Sequence, residues 1–264
     1  MFAIDYRIDS SAVTIIATAL YANGTWLTLL PTVFVGGTLV IMPKFDPINF
    51  LKLVQKERCT HAFMVPTQYT VLLEQPDFDS HDISSMRICN SAGSPLRLQT
   101  KQEVINRFSG ELLELLGLTE GAATTLKPED MERKMESVGI PLLGWDMAII
   151  DDQGNELPRG EVGEIVAFSS WSMPEYYKLP DKTVEAIWLD KQGRTFLKTG
   201  DMGKIDEDGF LYILDRKKDM IISGGINIFA SDIEEVFSRQ PKIKDCAVIG
   251  VSHPKWGETP WEKS

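Results

Sequence analysis

The sequence predicts an α/β protein: a parallel-rich sheet with helices, then a β-hairpin-rich subdomain, then a truncated small α+β C-terminal domain. Three observations predict this. Helical and strand periods alternate up to about residue 139. Three Gly-containing turn signals, "DDQGN", "DKQGR" and "DEDGF", then separate strand-like runs. After Asp215 the chain returns to a β-turn-α-β order too small to be a complete domain. The expected divisions are 1–139, 140–215 and 216–264.

The first element is expected to be a strand, since the chain enters at once into strand-like sequence. Asp46 caps a helix with Pro47 at its first position, and Phe50, Leu51 and Val54 recur at helical spacing. "THAFMV" (60–65) then reads as a buried strand. The pattern repeats with "PTQYTVLLEQP" as helix and "SSMRICN" as strand. It repeats again with a helix opened by Ser94 and Pro95, carrying Leu98, Val104, Ile105 and Phe108 and closed by Gly110, before the strand "ELLELL". Ligands of such sheets bind at the carboxyl ends of strands, which here carry the loops "NSAGSPL" and "LGLTEG". In the middle region "DEDG" is turn chemistry, because the further acidic positions of a calcium loop are absent. Beyond Asp215, "MIIS" is a strand, "GGIN" a turn, Ser231 and Glu234 a capping box for "SDIEEVF", and "KDCAVIGV" a further strand.

Composition narrows the function. The chain has 264 residues, 43% hydrophobic and 25% charged, enough for a sizeable core. Lys plus Arg number 27 against 38 Asp plus Glu, a net charge of -11, which disfavours nucleic acid as a partner. Cys59, Cys89 and Cys246 are odd in number and widely spaced, so they read as core residues of a protein in a reducing, cytoplasmic compartment. No run is long and apolar enough for a transmembrane segment, and Asp5, Arg7 and Asp9 interrupt any signal-peptide core. His61, His81 and His253 have no acidic or cysteine partner at ligand spacing. Both ends are abrupt, as expected of a fragment.

The segments "LGLTEG" (116–121), "FLKTGD" (196–201) and "DRKKDMIISGGINIFASDIEEV" (215–236) occur in that order, with "GEVGEI" and "MPEYYKLPDKT" between them. In these segments the chain resembles the adenylate-forming enzymes: acyl-CoA synthetases, luciferases and the adenylation domains of peptide synthetases. The resemblance covers essentially the whole chain. It implies ATP-dependent activation of a carboxylic acid to acyl-AMP, followed by transfer to CoA, with ATP, Mg²⁺ and CoA as cofactors. That chemistry rests on positioning and charge neutralisation rather than on a protein nucleophile.

The resemblance assigns roles residue by residue. Thr119 offers a hydroxyl to the α-phosphate and Glu120 holds the metal. Gly93, Ser94 and Pro95 flank the adenine, together with Leu116 and Gly117. Asp201, read as the end of a strand, takes the ribose hydroxyls, and Arg216 reaches the same nucleotide. Lys218 is the hinge about which the small domain turns, whereas Lys217 is read as solvated surface. Gly224 and Gly225 form a path for the pantetheine arm, and Trp256 meets the CoA nucleotide or, equally, belongs to a core. Ala22, Asn23, Gly24 and Trp26, with Ser91 to Ser94 and Gly117, line the acid pocket. Its small, uncharged lining favours a fatty acid, with an aromatic acid open and an amino acid disfavoured.

The departures from the family pattern are as informative as the matches. Leu116 replaces a stacking tyrosine, Ala22 a common histidine, Ile140 an arginine and Glu175 a glycine. The family's phosphate loop and C-terminal lysine are not in the sequence, so these 264 residues alone are expected to turn over ATP near background. Two alternatives of other kinds remain: a non-catalytic nucleotide-binding remnant, and an adenylation domain that loads a carrier protein.

Overall fold

A computed structural model of the chain describes residues 1–238, 240, 242–243 and 246–263. Its backbone divides into two compact units, Met1–Gly144 and Trp145–Ser264.

The first unit opens with a short helix, α1 (Phe2–Asp5), where the sequence suggested a strand. A brief apolar run suits either state, and here the Met1 carbonyl accepts the N–H groups of Ile4 and Asp5 at 2.8 and 3.1 Å. There follow β1 (Val13–Ile16), α2 (Asn23–Phe34), β2 (Thr38–Ile41), α3 (Pro47–Glu57), β3 (His61–Met64), α4 (Pro66–Leu73), β4 (Ile88–Ala92), α5 (Leu98–Arg107), β5 (Glu111–Gly117), β6 (Ala123–Leu126), α6 (Pro128–Met131) and β7 (Ile140–Pro141). The expected cap of α3 forms, with Asp46 Oδ1 accepting from Asn49 N–H at 2.7 Å. The expected opening of α5 does not. Ser94 and Pro95 stay in the preceding loop, and Arg97 is the residue before the first helical turn.

These strands form one seven-stranded sheet in the order β2-β1-β3-β4-β5-β6-β7. The first five pair in parallel, and the pairings of β6 and β7 are antiparallel. From β1 the chain steps one way to β2, then the other way through β3, β4 and β5. Right-handed crossovers therefore put α2 on one face and α3, α4 and α5 on the other. Side chains agree with this. Thr14 of β1 hydrogen-bonds Thr32 of α2 at 2.7 Å, and Lys101 of α5 pairs with Glu114 of β5. Alternation then places Phe63, Asn90 and Leu113 on the α2 face and Met64, Ser91 and Glu114 on the α5 face.

Buried His61 is a structural residue of β3, with Nδ1 2.8 Å from Thr60 Oγ1 and Nε2 3.2 Å from the Arg7 carbonyl. Burial first, and the nearby Arg87 charge second, push its pKa from 6.5 down to about 4. The folded state holds it neutral while the unfolded chain takes up a proton, so stability falls as the pH drops from 6.5 towards 4. The difference is about 3 kcal/mol. Urea unfolding of His61→Gln is expected to lose that slope across this window, and an unchanged slope would remove His61 as its source.

The second unit contains β8 (Trp145–Ile150), β9 (Gly163–Ser169), α7 (Pro180–Glu185), β10 (Ile187–Leu189), β11 (Thr195–Ile205), β12 (Leu211–Arg216), β13 (Ile221–Ser223), β14 (Ile226–Ile228), α8 (Ala230–Ser238), β15 (Ala247–His253) and β16 (Gly257–Lys263). Strands β10, β11, β9 and β8 make an antiparallel sheet, with β12 also on β11. The acidic-Gly segments are its turns. Asp151, Asp190 and Asp206 each accept a backbone N–H four residues on through Oδ1, at 2.8 to 2.9 Å.

Strands β14, β13, β16 and β15 form a second sheet, against which α8 packs through Ala230 and Ile233. Two expectations change here. Ser231 and Glu234 make no capping box: the Ser231 hydroxyl donates to the Leu214 carbonyl, and Glu234 Oε1 accepts from Val248 N–H at 2.9 Å. Both side chains bond to neighbouring strands instead of to the helix end. The turn is also tighter than "GGIN", since only Gly224 and Gly225 turn, both with positive φ (58° and 84°), and Ile226 and Asn227 belong to β14. Lys244 and Asp245 of the expected strand "KDCAVIGV" lie outside the described residues. Cys59 and Cys89 are buried and their thiols are pushed up to about 12, as inert core residues should be, whereas Cys246 is half-buried. Among the described residues, no helix is long and apolar enough to cross a membrane.

Candidate functional site

In the first unit, two loops leave the carboxyl ends of neighbouring strands. Gly93, Ser94 and Pro95 follow β4 and are exposed, with Gly93 at φ +98°. A side chain there would strain the backbone before it met a neighbour. The loop is held from below, where Leu96 N–H donates to Glu114 Oε1 at 3.3 Å. Glu114 in turn forms a buried ion pair with Lys101, whose Nζ also donates to the Met135 carbonyl. Burial pushes the Glu114 carboxyl above its usual range, and the Lys101 charge opposes that shift. This pair is not legible in the sequence, because a lysine and a glutamate thirteen residues apart read as two solvated charges.

Thr119 and Glu120 sit in the hairpin loop joining β5 to β6, which Leu118 N–H closes on the Ala122 carbonyl at 2.9 Å. Leu116 and Gly117 are the last residues of β5, paired with Thr124 and Ala123. The exposed hydroxyl of Thr119 and the half-buried Glu120 are thus carried on a short loop with little freedom. Among the described residues no three His, Cys, Asp or Glu side chains converge as a ready metal cage.

The acid-pocket candidates cluster at the start of α2. Ala22 is its cap residue, Asn23 and Gly24 open the helix, and Trp26 Nε1 donates to the Leu20 carbonyl at 2.9 Å. Gly24 packs on Phe63 of β3 so closely that a Cβ would lie 2.4 Å from the ring's Cζ. Glycine is required there for space.

In the second unit Asp201 lies inside β11, not at a strand end as expected. Gly200 at φ +73° and a register shift between Lys198 and Met202 push the Thr-Gly-Asp segment out of its ladder with β9. The bulge, rather than a terminus, presents the carboxylate. Thr199 fixes it, accepting Asp201 N–H at 3.1 Å while donating to the Ile165 carbonyl at 2.9 Å. Asp201 is 5% exposed, and Arg216, its partner across the ladder, donates from Nε to Oδ1 at 2.9 Å. Burial pushes the Asp201 carboxyl up and Arg216 opposes this.

Lys217 is not the solvated surface residue expected. Its Nζ reaches Asp152 at 3.0 Å and Glu164 at 2.9 Å, and its N–H donates to the Gly200 carbonyl at 2.8 Å. Lys218 is exposed in the turn that follows, where Asp219 and Met220 N–H groups return to the Arg216 carbonyl. The structure brings Gly224 and Trp256 together: Gly224 N–H donates to the Trp256 carbonyl at 2.7 Å, and a Cβ on Gly224 would lie 2.9 Å from the indole. Gly225 faces open space.

A family description, AMP-binding enzyme, matches residues 2–177, and a second, AMP-binding enzyme C-terminal domain, matches 232–261. This chain belongs to the AMP-binding enzyme family. A medium/long-chain-fatty-acid CoA ligase of Mycobacterium tuberculosis is 34% identical over 231 residues, 86% of this chain and 40% of that protein. A feruloyl-CoA synthase of an Amycolatopsis species is 34% identical over 256 residues, 96% and 51%. Among solved structures, ATP-bound MatB from Rhodopseudomonas palustris superposes with a TM-score of 0.89 at 33% identity, covering 99% of this chain and 51% of that one. The o-succinylbenzoate-CoA synthetase of Bacillus subtilis with ATP and magnesium superposes with 0.85 at 29% identity, 98% and 52%. The chain thus spans about half the length of the relatives it matches, between 40% and 51% for the two curated proteins.

Proposed function

We propose that this chain is part of an acyl-CoA synthetase that activates a carboxylic acid with ATP, releasing pyrophosphate, and passes the acyl group from acyl-AMP to the thiol of CoA. One observation carries the reading: the bulged Thr-Gly-Asp segment sets a buried carboxylate against the first basic residue of "DRKKD". A structural ion pair needs no bulge, whereas a carboxylate offered to two vicinal hydroxyls must be freed from pairing on one side, as Asp201 is on the β9 side.

Each role then follows from chemistry. Asp201 accepts from the ribose hydroxyls through charge-assisted bonds, and Arg216 orients that carboxylate while adding positive charge near the nucleotide. Gly93, Ser94 and Pro95 flank the adenine, with Leu116 and Gly117 at the end of β5. The Thr119 hydroxyl donates to an α-phosphate oxygen as charge builds there in the transition state. Glu120 suits a cation held by one carboxylate, waters and substrate phosphates, the mode Mg²⁺ favours, and the lack of a ready cage among the described residues fits that mode. When bound, the ion neutralises phosphate charge. Lys218, exposed at a turn, changes its backbone torsions without losing hydration and serves as the hinge. Gly224 and Gly225 leave a side-chain-free face for the pantetheine arm, edged by Trp256. Ala22, Asn23, Gly24 and Trp26 form the mouth of the acid pocket, whose uncharged lining suits a fatty acid first. A cytoplasmic location fits reduced thiols and soluble substrates.

Isotope exchange between pyrophosphate and ATP in the full polypeptide is the test. Exchange is expected only when a carboxylic acid is supplied, followed by thioester formation on adding CoA. Nucleotide binding with no acid-dependent exchange would overturn the enzyme reading in favour of a binding module.

A further inference from the structure

Asn90 lies on β4, 1% exposed, and neither its Nδ2 nor its Oδ1 has a hydrogen-bond partner among the described residues. An unpaired buried amide keeps the full desolvation cost of each polar group, so a chain retains one where something else satisfies it. An apolar residue of the same shape would serve a core better.

Its position says what that something is. In the sheet register Asn90 pairs with Phe63 on one side and Leu113 on the other, so the three side chains share the α2 face. Phe63 is the residue whose ring packs on Gly24, at the mouth of the acid pocket. Asn90 therefore stands one side chain in from that mouth, and two residues, about 7 Å, below the carboxyl end of β4. A second polar atom on this face is also buried and unpaired: the hydroxyl of Thr125, which pairs with Leu115, itself in register with Ala92. Its register neighbours on this face are apolar and buried, with Phe63 5%, Leu113 1% and Leu115 5% exposed.

We infer that Asn90 is a specificity-determining residue inside the acid pocket, and that the acid taken carries a hydroxyl or carbonyl group on its body, away from the reacting carboxylate, rather than an unsubstituted chain. This rests on the synthetase reading and refines its substrate. An amide both donates and accepts, so it satisfies either group, while an unsubstituted chain leaves it unpaired and loses the corresponding free energy. Sites built to hydrogen-bond a substrate group reject the analogue lacking it far more strongly than apolar pockets reject an added one.

The test compares acids of matched size in the full polypeptide: cinnamate with 4-hydroxycinnamate, and dodecanoate with its mid-chain hydroxy and oxo derivatives. The polar member of at least one pair is expected to have a kcat/KM higher by roughly 10-fold or more. Asn90→Leu is expected to lower kcat/KM for that acid by about 10- to 100-fold, to leave or raise that for its apolar partner, and to keep or raise the melting temperature. Asn90→Ala carries the same comparison if the leucine variant does not fold. Wild-type exchange that ignores the polar group in both pairs, or a variant that loses both members equally, overturns the inference and leaves the synthetase reading intact. No exchange with any acid overturns both.

Discussion

Lys101→Met is expected to destabilise the first unit by about 3–5 kcal/mol, although it exchanges one long flexible side chain for another. Lys101 and Glu114 have side chains 3% and 5% exposed, so each has given up nearly all its hydration for the other. Removing the lysine leaves a buried carboxylate with only the Leu96 N–H for compensation. Burial already pushes the Glu114 carboxyl up, and without Lys101 only the Leu96 N–H opposes that rise. A carboxyl raised in the folded state contributes stability below its unfolded pKa and loses it as the pH climbs. The cost of Lys101→Met should therefore be larger at pH 8 than at pH 5. Replacing both residues by methionine should recover most of the loss, because two apolar chains of that volume carry no desolvation penalty. Urea unfolding of the two single variants and the double variant at both pH values checks this. A double variant as unstable as the single one would show that the site needs its charges rather than its volume. Since Glu114 also holds the loop of Gly93 to Pro95, the single variants should weaken nucleotide binding, which a purely structural pair remote from that loop would not do.

How far the sequence spoke depended on range. Asp46 and Pro47 specified the start of α3 because cap and first turn are neighbours, and the hairpins at Asp151, Asp190 and Asp206 were legible because each turn is closed by its own aspartate. That the sheet is largely parallel followed from alternation alone. Where a partner is distant, local rules misled. Ser231 and Glu234 have the spacing of a capping box, yet Leu214 and Val248 compete for them and win. Ser94 and Pro95 look like a helix start but stay in the β4 loop, whose following residue is fastened to Glu114.

The site followed the same rule. Thr119, Glu120, Asp201 and Arg216 stand in contiguous motifs, so the sequence alone could put them forward as candidates. Phe63 and Asn90 meet only through strand register, and Lys101 meets Glu114 only once α5 packs on the sheet. Lys217 was misread because its two carboxylate partners, Asp152 and Glu164, lie more than fifty residues away.

Asp201→Ala is expected to weaken ATP binding by roughly 10²- to 10³-fold, the equivalent of about two charge-assisted hydrogen bonds at 1.5–2 kcal/mol each. The fold should survive, since the bulge depends on Gly200 and Thr199, and Arg216 is half exposed and can return to water. What separates a ribose contact from general charge is the ligand. If Asp201 accepts from the sugar, removing the 2′- and 3′-hydroxyls from the nucleotide should cost the wild type as much as losing Asp201 costs it. The variant should then be nearly indifferent to the same removal. Calorimetric titration with ATP and with 2′,3′-dideoxy-ATP closes this cycle, and equal losses in both proteins would deny the ribose contact. Asp201→Asn should fall between the two, keeping one acceptor but not the charge. The pH adds a further check of sign. Burial raises the Asp201 carboxyl, so the wild type should begin to lose ATP affinity at a higher pH than an ordinary carboxylate would, as the acid form surrenders an acceptor. The alanine variant has no such group, and its weaker binding should show no inflection from this source.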